Sequence, residues 1–315
     1  MVAVLAGPDN GVRNLNDTDW KILTDRIRDG KCTPFIGPGI YSDLYSIRST
    51  VAEKWAGNED YPLNDSNDLA SVSRFLSVKY DGNPDYAPDE FIKELRNFRT
   101  PPFNDPDDPH GILATLPLPI YITTNYDDFM TKALQTKYRT PKVEICRWKA
   151  DLKEESSYLA DGFTPDAANP SVFHLYGHKD NAASLVLTED DYFQFMINVA
   201  MDAKALLIPP LIQKAISNAS LLLLGFRLND WDFRVLFHLL ATCVKMNTRA
   251  THVFVQVSPY SNDVGEDVIR KIQNYYNKYF EFRRLKIFVE WGTTQDFILK
   301  LKKKWEDSGY ANGKS

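Results

Sequence analysis

Ala219–Gly225 is the stretch that most restricts how this chain can fold. Its residues, Ala-Ser-Leu-Leu-Leu-Leu-Gly, are strand-sized and carry no charge. A strand with no polar side needs cover on both faces, a condition met in parallel sheets clothed by helices on each side. Similar runs recur at Cys32–Ile36, Ile120–Asn125, Ser171–Tyr176, Ser184–Thr188, His252–Val257 and Leu285–Glu290. Between them lie segments of helical periodicity: Trp20–Arg28, Leu44–Trp55, Phe129–Leu134, Glu189–Met201, Ile208–Asn218, Trp231–Met246, Ile269–Tyr279 and Asp296–Trp305. Strand alternating with helix predicts an α/β fold, a doubly wound, Rossmann-like parallel sheet.

Residues 57–108 interrupt the alternation. They are polar, rich in proline and helical in pattern, with Asp89–Phe98 the clearest helix, and read as a helical insertion beside the sheet. The expected organisation is a flexible arm over 1–16, one domain over 17–305 and a polar tail over 306–315. The 315 residues carry 37 Lys and Arg against 42 Asp and Glu, a net charge of −5, which argues against a surface for nucleic acid of any sequence. No apolar run approaches the roughly 20 residues of a membrane helix, and the start lacks the basic and apolar regions of a signal peptide. Three widely spaced cysteines, Cys32, Cys146 and Cys243, offer neither a disulfide framework nor a paired-cysteine zinc site. A cytoplasmic, metal-free protein is expected.

In open α/β sheets ligands sit beyond the carboxyl ends of the strands, and the polar residues gather there. Ile120-Tyr-Ile-Thr-Thr-Asn-Tyr-Asp-Asp128 ends an apolar run in Asn125 and Asp127, which with Thr123 would share one face of an extended strand end. Asn125 would orient a sugar hydroxyl or a water; both residues also suit capping of the next helix. Gly37-Pro38-Gly39 follows a strand and precedes a helix, the arrangement that aims backbone amides at a phosphate, although a plain tight turn fits it as well. Gly225 ends a second strand, with Arg227 and Arg234 beyond it and Asn229 and Asp230 as capping residues. Phe173-His-Leu-Tyr-Gly-His178 brings two imidazoles, the side chains suited to general-base work near neutrality, to the same edge. His110 reads as a cap or a packing residue. Together these features point to a nucleotide site with hydrolytic or transfer chemistry.

In five blocks the chain resembles the sirtuin-like superfamily, and within it the zinc-free NAD-hydrolase branch of bacterial anti-phage defence. The blocks, in order, are Pro34-Phe-Ile-Gly-Pro-Gly-Ile40, Ile122-Thr-Thr-Asn-Tyr-Asp-Asp-Phe129, Phe173-His-Leu-Tyr-Gly-His178, Ser184-Leu-Val-Leu-Thr-Glu-Asp-Asp-Tyr192 and Leu224-Gly-Phe-Arg-Leu-Asn-Asp-Trp-Asp-Phe-Arg234. The resemblance implies NAD as substrate: Gly37 and Gly39 along the pyrophosphate, Asn125 and Asp127 around the nicotinamide ribose, Gly225 and Phe226 toward the phosphate or adenosine side, and Thr124 among the residues that bind NAD. The family's catalytic histidine stands before a glycine, a position held here by Tyr176, so Tyr176 would line the ribose and His178 or His174 would accept the proton. The four-cysteine zinc module of the protein deacylases has no counterpart, which makes water the expected acceptor. The implied activity is release of nicotinamide and ADP-ribose in abortive infection. The rivals are a silent NAD or ADP-ribose sensor, and a deacylase or ADP-ribosyltransferase. Unchecked NAD hydrolysis would poison its own cell, so gating is expected, through a homo-oligomer or an activating protein partner, with 57–108 as lid or interface.

Overall fold

The computed structural model describes residues 14–41, 47–154, 156–159, 161–201, 207–226, 252–257 and 286–310, with scattered positions between 235 and 278. Within them lie α1 (Asp17–Arg28), β1 (Cys32–Ile36), α2 (Ile47–Asn58), α3 (Leu69–Lys79), α4 (Tyr86–Asn97), α5 (Pro109–Leu113), β2 (Ile120–Thr123), α6 (Phe129–Thr136), β3 (Lys142–Ile145), β4 (Ser171–His174), α7 (Glu189–Ala200), α8 (Pro210–Asn218), β5 (Ser220–Phe226), β6 (His252–Val257), β7 (Lys286–Trp291) and α9 (Thr294–Asp307). The strands form one sheet in the order β3-β4-β2-β1-β5-β6-β7, and every pairing is parallel. The expected α/β architecture is the one observed.

Alternate residues of the buried strands serve opposite layers. Leu221 and Leu223 of β5, Ile120 and Ile122 of β2 and Phe35 of β1 join the cluster beneath α2, α3, α4, α7 and α8. Leu222 and Leu224, Tyr121, and Cys32 and Ile36 join the cluster beneath α1, α5, α6 and α9. The helical insertion is part of this packing, because Val72, Leu76, Phe91 and Leu95 belong to the first cluster.

From β1 the chain adds β2 alongside, places β3 at the edge and inserts β4 between them, then crosses to the other side of β1 as β5. The direction of winding therefore reverses at β1, where a crevice opens beyond the carboxyl ends of the strands. Two backbone loops interlock there. Gly37 N–H donates to Leu224 O (2.8 Å) and Gly39 N–H to Gly225 O (2.8 Å). A β-carbon on Gly37 would lie 2.7 Å from Gly225 O, and one on Gly225, whose φ is +70°, would lie 2.4 Å from Ile40 N. These glycines let two strand ends touch.

Several expectations need correction. Ser184–Thr188 is not a strand. Its backbone groups bond instead to Tyr176 O, the Tyr126 hydroxyl and the Trp148 indole, so it is a buried connector. β4 and β2 stop at His174 and Thr123, earlier than the apolar runs suggested, and the chain bends to make side-chain bonds at Asn125. Thr123, Asn125 and Asp127 thus do not share an extended face. Residues 14–16 are anchored, with Leu15 N–H donating to the buried Glu290 carboxylate (2.7 Å) and Asn16 capping α1. At the other end α9 reaches Asp307, and the Tyr310 hydroxyl donates to Asp25 (2.6 Å), so 306–310 are tied down as well. The expected Trp231–Met246 helix, apart from Val235, and most of Ile269–Tyr279 lie outside the described residues.

Gly225→Ala should lower unfolding free energy by at least about 1–3 kcal/mol, since it adds left-handed backbone strain to a direct clash. Gly57→Ala, at a helical glycine with open space around it, should be neutral or stabilising by up to about 1 kcal/mol. Chemical denaturation of both variants checks this, and equal effects would contradict the interlock.

Candidate active site

Asn125 is fixed from three directions. Its N–H donates to Thr123 Oγ1 (3.0 Å), its Nδ2 donates to Gly37 O (3.2 Å), and its carbonyl accepts from His174 Nδ1 (3.0 Å). Thr123 Oγ1 in turn donates to Ile36 O (3.2 Å), and Thr124 N–H donates to the same carbonyl (3.0 Å). The ends of β1, β2 and β4 therefore converge on one residue, its backbone held by Thr123 and His174 and its amide side chain by Gly37. Asn125 Oδ1 takes part in none of the described bonds, and the side chain lines a cavity of about 420 Å³.

The cavity walls come from four places: Pro38, Ile40 and Tyr41 after β1; Arg48 of α2; Phe91 and Leu95 of α4 with residues of the segment from Phe98 to Pro109; and Asn125, Tyr126, Asp127 and Phe129 after β2. Its size lies within the roughly 300–1,000 Å³ usual for small-molecule sites. The helical insertion thus supplies the wall opposite the strand ends.

Asp127 lies in this wall, partly exposed, with Oδ1 accepting from Phe129 N–H (3.0 Å) at the start of α6. The capping reading is right for that oxygen, while Asn125 caps nothing. Burial raises the Asp127 carboxyl to about 6; the neighbouring Asp128 adds to the rise, and Phe129 N–H and Arg48 oppose it. Arg48 is braced by Thr124 O (2.6 Å) and the Tyr192 hydroxyl (3.2 Å), with its guanidinium 4.7 Å from the Tyr126 ring centre.

The glycine loop differs in detail from expectation. The amides of Gly37 and Gly39 are engaged by Leu224 O and Gly225 O, so they do not face a phosphate, and Pro38 between them lines the cavity instead. Gly225 and Phe226 lie behind the loop, and Thr124 is fully buried; none of the three reaches the cavity. Arg227, Asn229, Asp230, Arg234 and His238 lie outside the described residues, as does Cys243. Cys32 and Cys146 are buried thiols, Cys32 pushed up to about 12 by burial.

His174, the last residue of β4, meets the Asn125 backbone, and His178 follows it. His174 and His178 stack edge to face, ring centres 4.6 Å apart, both buried and neither in the cavity wall. His174 donates from Nδ1 to a carbonyl, so its Nε2 is the bare nitrogen; His178 Nδ1 accepts from Asp180 N–H (3.3 Å), so its proton is on Nε2. Both Nε2 atoms are buried without a partner. Burial lowers His174 to about 3 and also lowers His178, against a smaller opposing pull from Asp180. Tyr176 is fully buried against Tyr192 and Phe195, away from the cavity. The glycine loop, Asn125 and an imidazole do come together, in a line through the protein rather than around the void.

Sequence reasoning passed over a different cluster. His110, buried ahead of β2, places Nδ1 2.8 Å from the hydroxyl of the cavity-lining Tyr41. That hydroxyl is also bonded to Asp108, whose carboxylate caps α5 by accepting from Gly111 N–H (2.7 Å). Burial lowers His110 to about 3. Only the spacing Asp108-Pro-His110 before an apolar run hinted at it. No group of three or more His, Cys, Asp or Glu side chains with metal-ligand geometry occurs among the described residues.

Residues 119–280 match the SIR2-like domain family. The chain belongs to that family. Three relatives are similar to it, each named NAD(+) hydrolase ThsA. The protein from Bacillus cereus (strain MSX-D12) is 27% identical over 59% of this chain and 36% of its own length. That from Enterococcus faecium is 26% identical over 56% of this chain and 34% of its own. That from Acinetobacter baumannii (strain 532279) is 26% identical over 78% of this chain and 48% of its own. The matched regions thus span between about a third and a half of these relatives. Among the described residues no helix is long and apolar enough to cross a membrane.

Two buried neutral imidazoles make a stability prediction. His110 and His174 titrate near 3 when folded and near 6.5 when unfolded, so below about 6.5 the unfolded chain binds more protons. Stability should fall as pH drops from about 6.5 toward about 3, by up to about 1.4 kcal/mol per pH unit for each group. Thermal unfolding of wild type and His174→Gln measures it. The variant should have the shallower acid slope, and identical slopes would contradict neutral burial.

Proposed function

We propose that this chain hydrolyses the N-glycosidic bond of NAD, releasing nicotinamide and ADP-ribose. One observation carries the reading: Asn125, held by three strand ends at the winding reversal of a SIR2-like fold, lines a cavity of about 420 Å³ and has a side-chain oxygen that takes part in none of the described bonds. The names of the three relatives support the choice of NAD.

The chemistry suits the wall. Nicotinamide in NAD is already cationic, so its departure needs no acid, and the sugar passes through an oxocarbenium-like state. Asn125 Oδ1 accepts from the attacking water or a ribose hydroxyl and fixes its direction, a positioning effect on a reaction that gains much from orientation. Asp127, Asp108 and the Tyr41 hydroxyl lend negative or dipolar character near the positive sugar. The apolar side chains of α4 exclude bulk water from the opposite side.

In the same proposal the chain acts in the cytoplasm as a gated effector of anti-phage defence, assembled as a homo-oligomer or opened by a protein partner. The insertion, which forms one cavity wall, is the segment where such a gate would act. A binding-only sensor is the second reading, favoured by the absence of any described imidazole from the cavity wall.

Nicotinamide release by the purified chain, followed by chromatography, tests the proposal. Wild type should consume NAD, and Asn125→Ala should lose about 10²–10³-fold in kcat, the scale seen when one polar stabilising side chain is removed. Tight ADP-ribose binding without nicotinamide release would select the sensor; unchanged turnover in the variant would end the role of Asn125.

A further inference from the structure

Resting on the hydrolase reading, we propose that Asp127 is the proton acceptor for the attacking water, in place of an imidazole. In the step, the water oxygen bonds to the ribose C1′, the bond from C1′ to the nicotinamide nitrogen breaks with its electron pair leaving on nicotinamide, and the water proton passes to an Asp127 carboxylate oxygen. Asp127 then releases that proton to solvent. No oxidant, reductant or third reactant is needed.

Position makes the case. Asp127 follows Asn125 by two residues and lines the same cavity, so a water held by the amide also lies on the carboxylate's side of the void. Phe129 N–H engages Oδ1 and the Asp127 N–H also bonds the carboxylate, so both donors come from its own turn and no other side chain takes part in the described bonds. The imidazoles lack such access. His174 and His178 are buried, and His110 is covered by Tyr41. The other carboxylates are less suited: Asp108 is committed to the α5 cap and to Tyr41, while Asp105 and Asp107 are on the outer loop.

The charge environment agrees. Facing Asp127 are Arg48 from α2, Tyr41 from the glycine loop, Asp128 on its own turn and, across the cavity, Asp108 and Arg99. Burial and Asp128 outweigh Arg48 and hold the carboxyl near 6, within the range where a base is both free and strong at neutral pH. As the base it must be ionised. Activity is therefore full above about 6 and falls as pH drops through that value, whereas a base titrating like His174 would leave no limb there.

The experiment is a pH profile of kcat/KM for nicotinamide release by wild type, Asp127→Asn, His174→Gln and His178→Gln, with ADP-ribose binding followed by calorimetry. Asparagine keeps the oxygen that receives Phe129 N–H, so the turn is preserved. The expected result is an acid limb near 6 in wild type and in both histidine variants. Asp127→Asn should fall about 10²–10⁴-fold and lose the limb while still binding ADP-ribose. Turnover retained in Asp127→Asn, or a limb abolished by His174→Gln or His178→Gln, overturns the assignment alone. A wild type that releases no nicotinamide removes the hydrolase reading and the assignment with it. An Asp127→Asn variant that no longer binds ADP-ribose is followed by Asp127→Glu, which must restore binding and a shifted limb or the assignment fails.

Discussion

The contact between the Gly37 loop and the end of β5 sets the rest of the site. Its two backbone hydrogen bonds and the lack of side chains at three glycines bring the β1 and β5 ends closer than any other residue would permit. With the loop seated, Gly37 O is presented to the Asn125 amide, and Thr123 and His174 complete the hold on that residue. A polar side chain in a cavity is useful only if it does not relax; here the Gly37 carbonyl holds the amide, and Thr123 Oγ1 and His174 Nδ1 fix the backbone that carries it. The glycines serve the site by packing rather than by donating to a ligand.

Burial then divides the titratable groups. The imidazoles of His110, His174 and His178 are enclosed by protein and kept neutral, each held through Nδ1. Asp127, partly open to the cavity, keeps a reachable carboxylate whose proton affinity has risen to about 6. Desolvation thus acts in opposite senses on the two classes: it withholds protons from the histidines and makes the carboxylate a better acceptor. The tyrosine in the family's histidine position, packed between Tyr192 and Phe195, fits a site whose reactive groups come from the β1 and β2 ends.

Much of the fold was legible because the signal is periodic. Charge-free runs such as Leu221–Leu224 can be satisfied only between two helical layers, and that requirement predicts the parallel sheet and its helices; the family was legible only as a resemblance carried by the five motif blocks. Asn125 and Asp127 were legible as residues placed just past a strand. What was not legible depends on where the chain bends. Ser184–Thr188 has the composition of a strand, yet its backbone bonds to side chains, which no periodicity records. His174 and His178 sit at a strand end in sequence, but whether an imidazole faces a cavity or the interior depends on the bend that follows β4, which stops two residues early. The Tyr41, His110 and Asp108 cluster joins segments almost seventy residues apart, so only the folded chain brings it into view. The contribution of α4 to the cavity wall is likewise a matter of packing.

A crystal structure of the chain with ADP-ribose bound tests the central claim most directly. The account predicts the ribose C1′ end inside the cavity between α4 and the β2 end, within about 3.5 Å of the Asn125 side chain or of a water it shares with Asp127. Ribose bound against His174 and His178, with the cavity beside Asn125 empty, would contradict it.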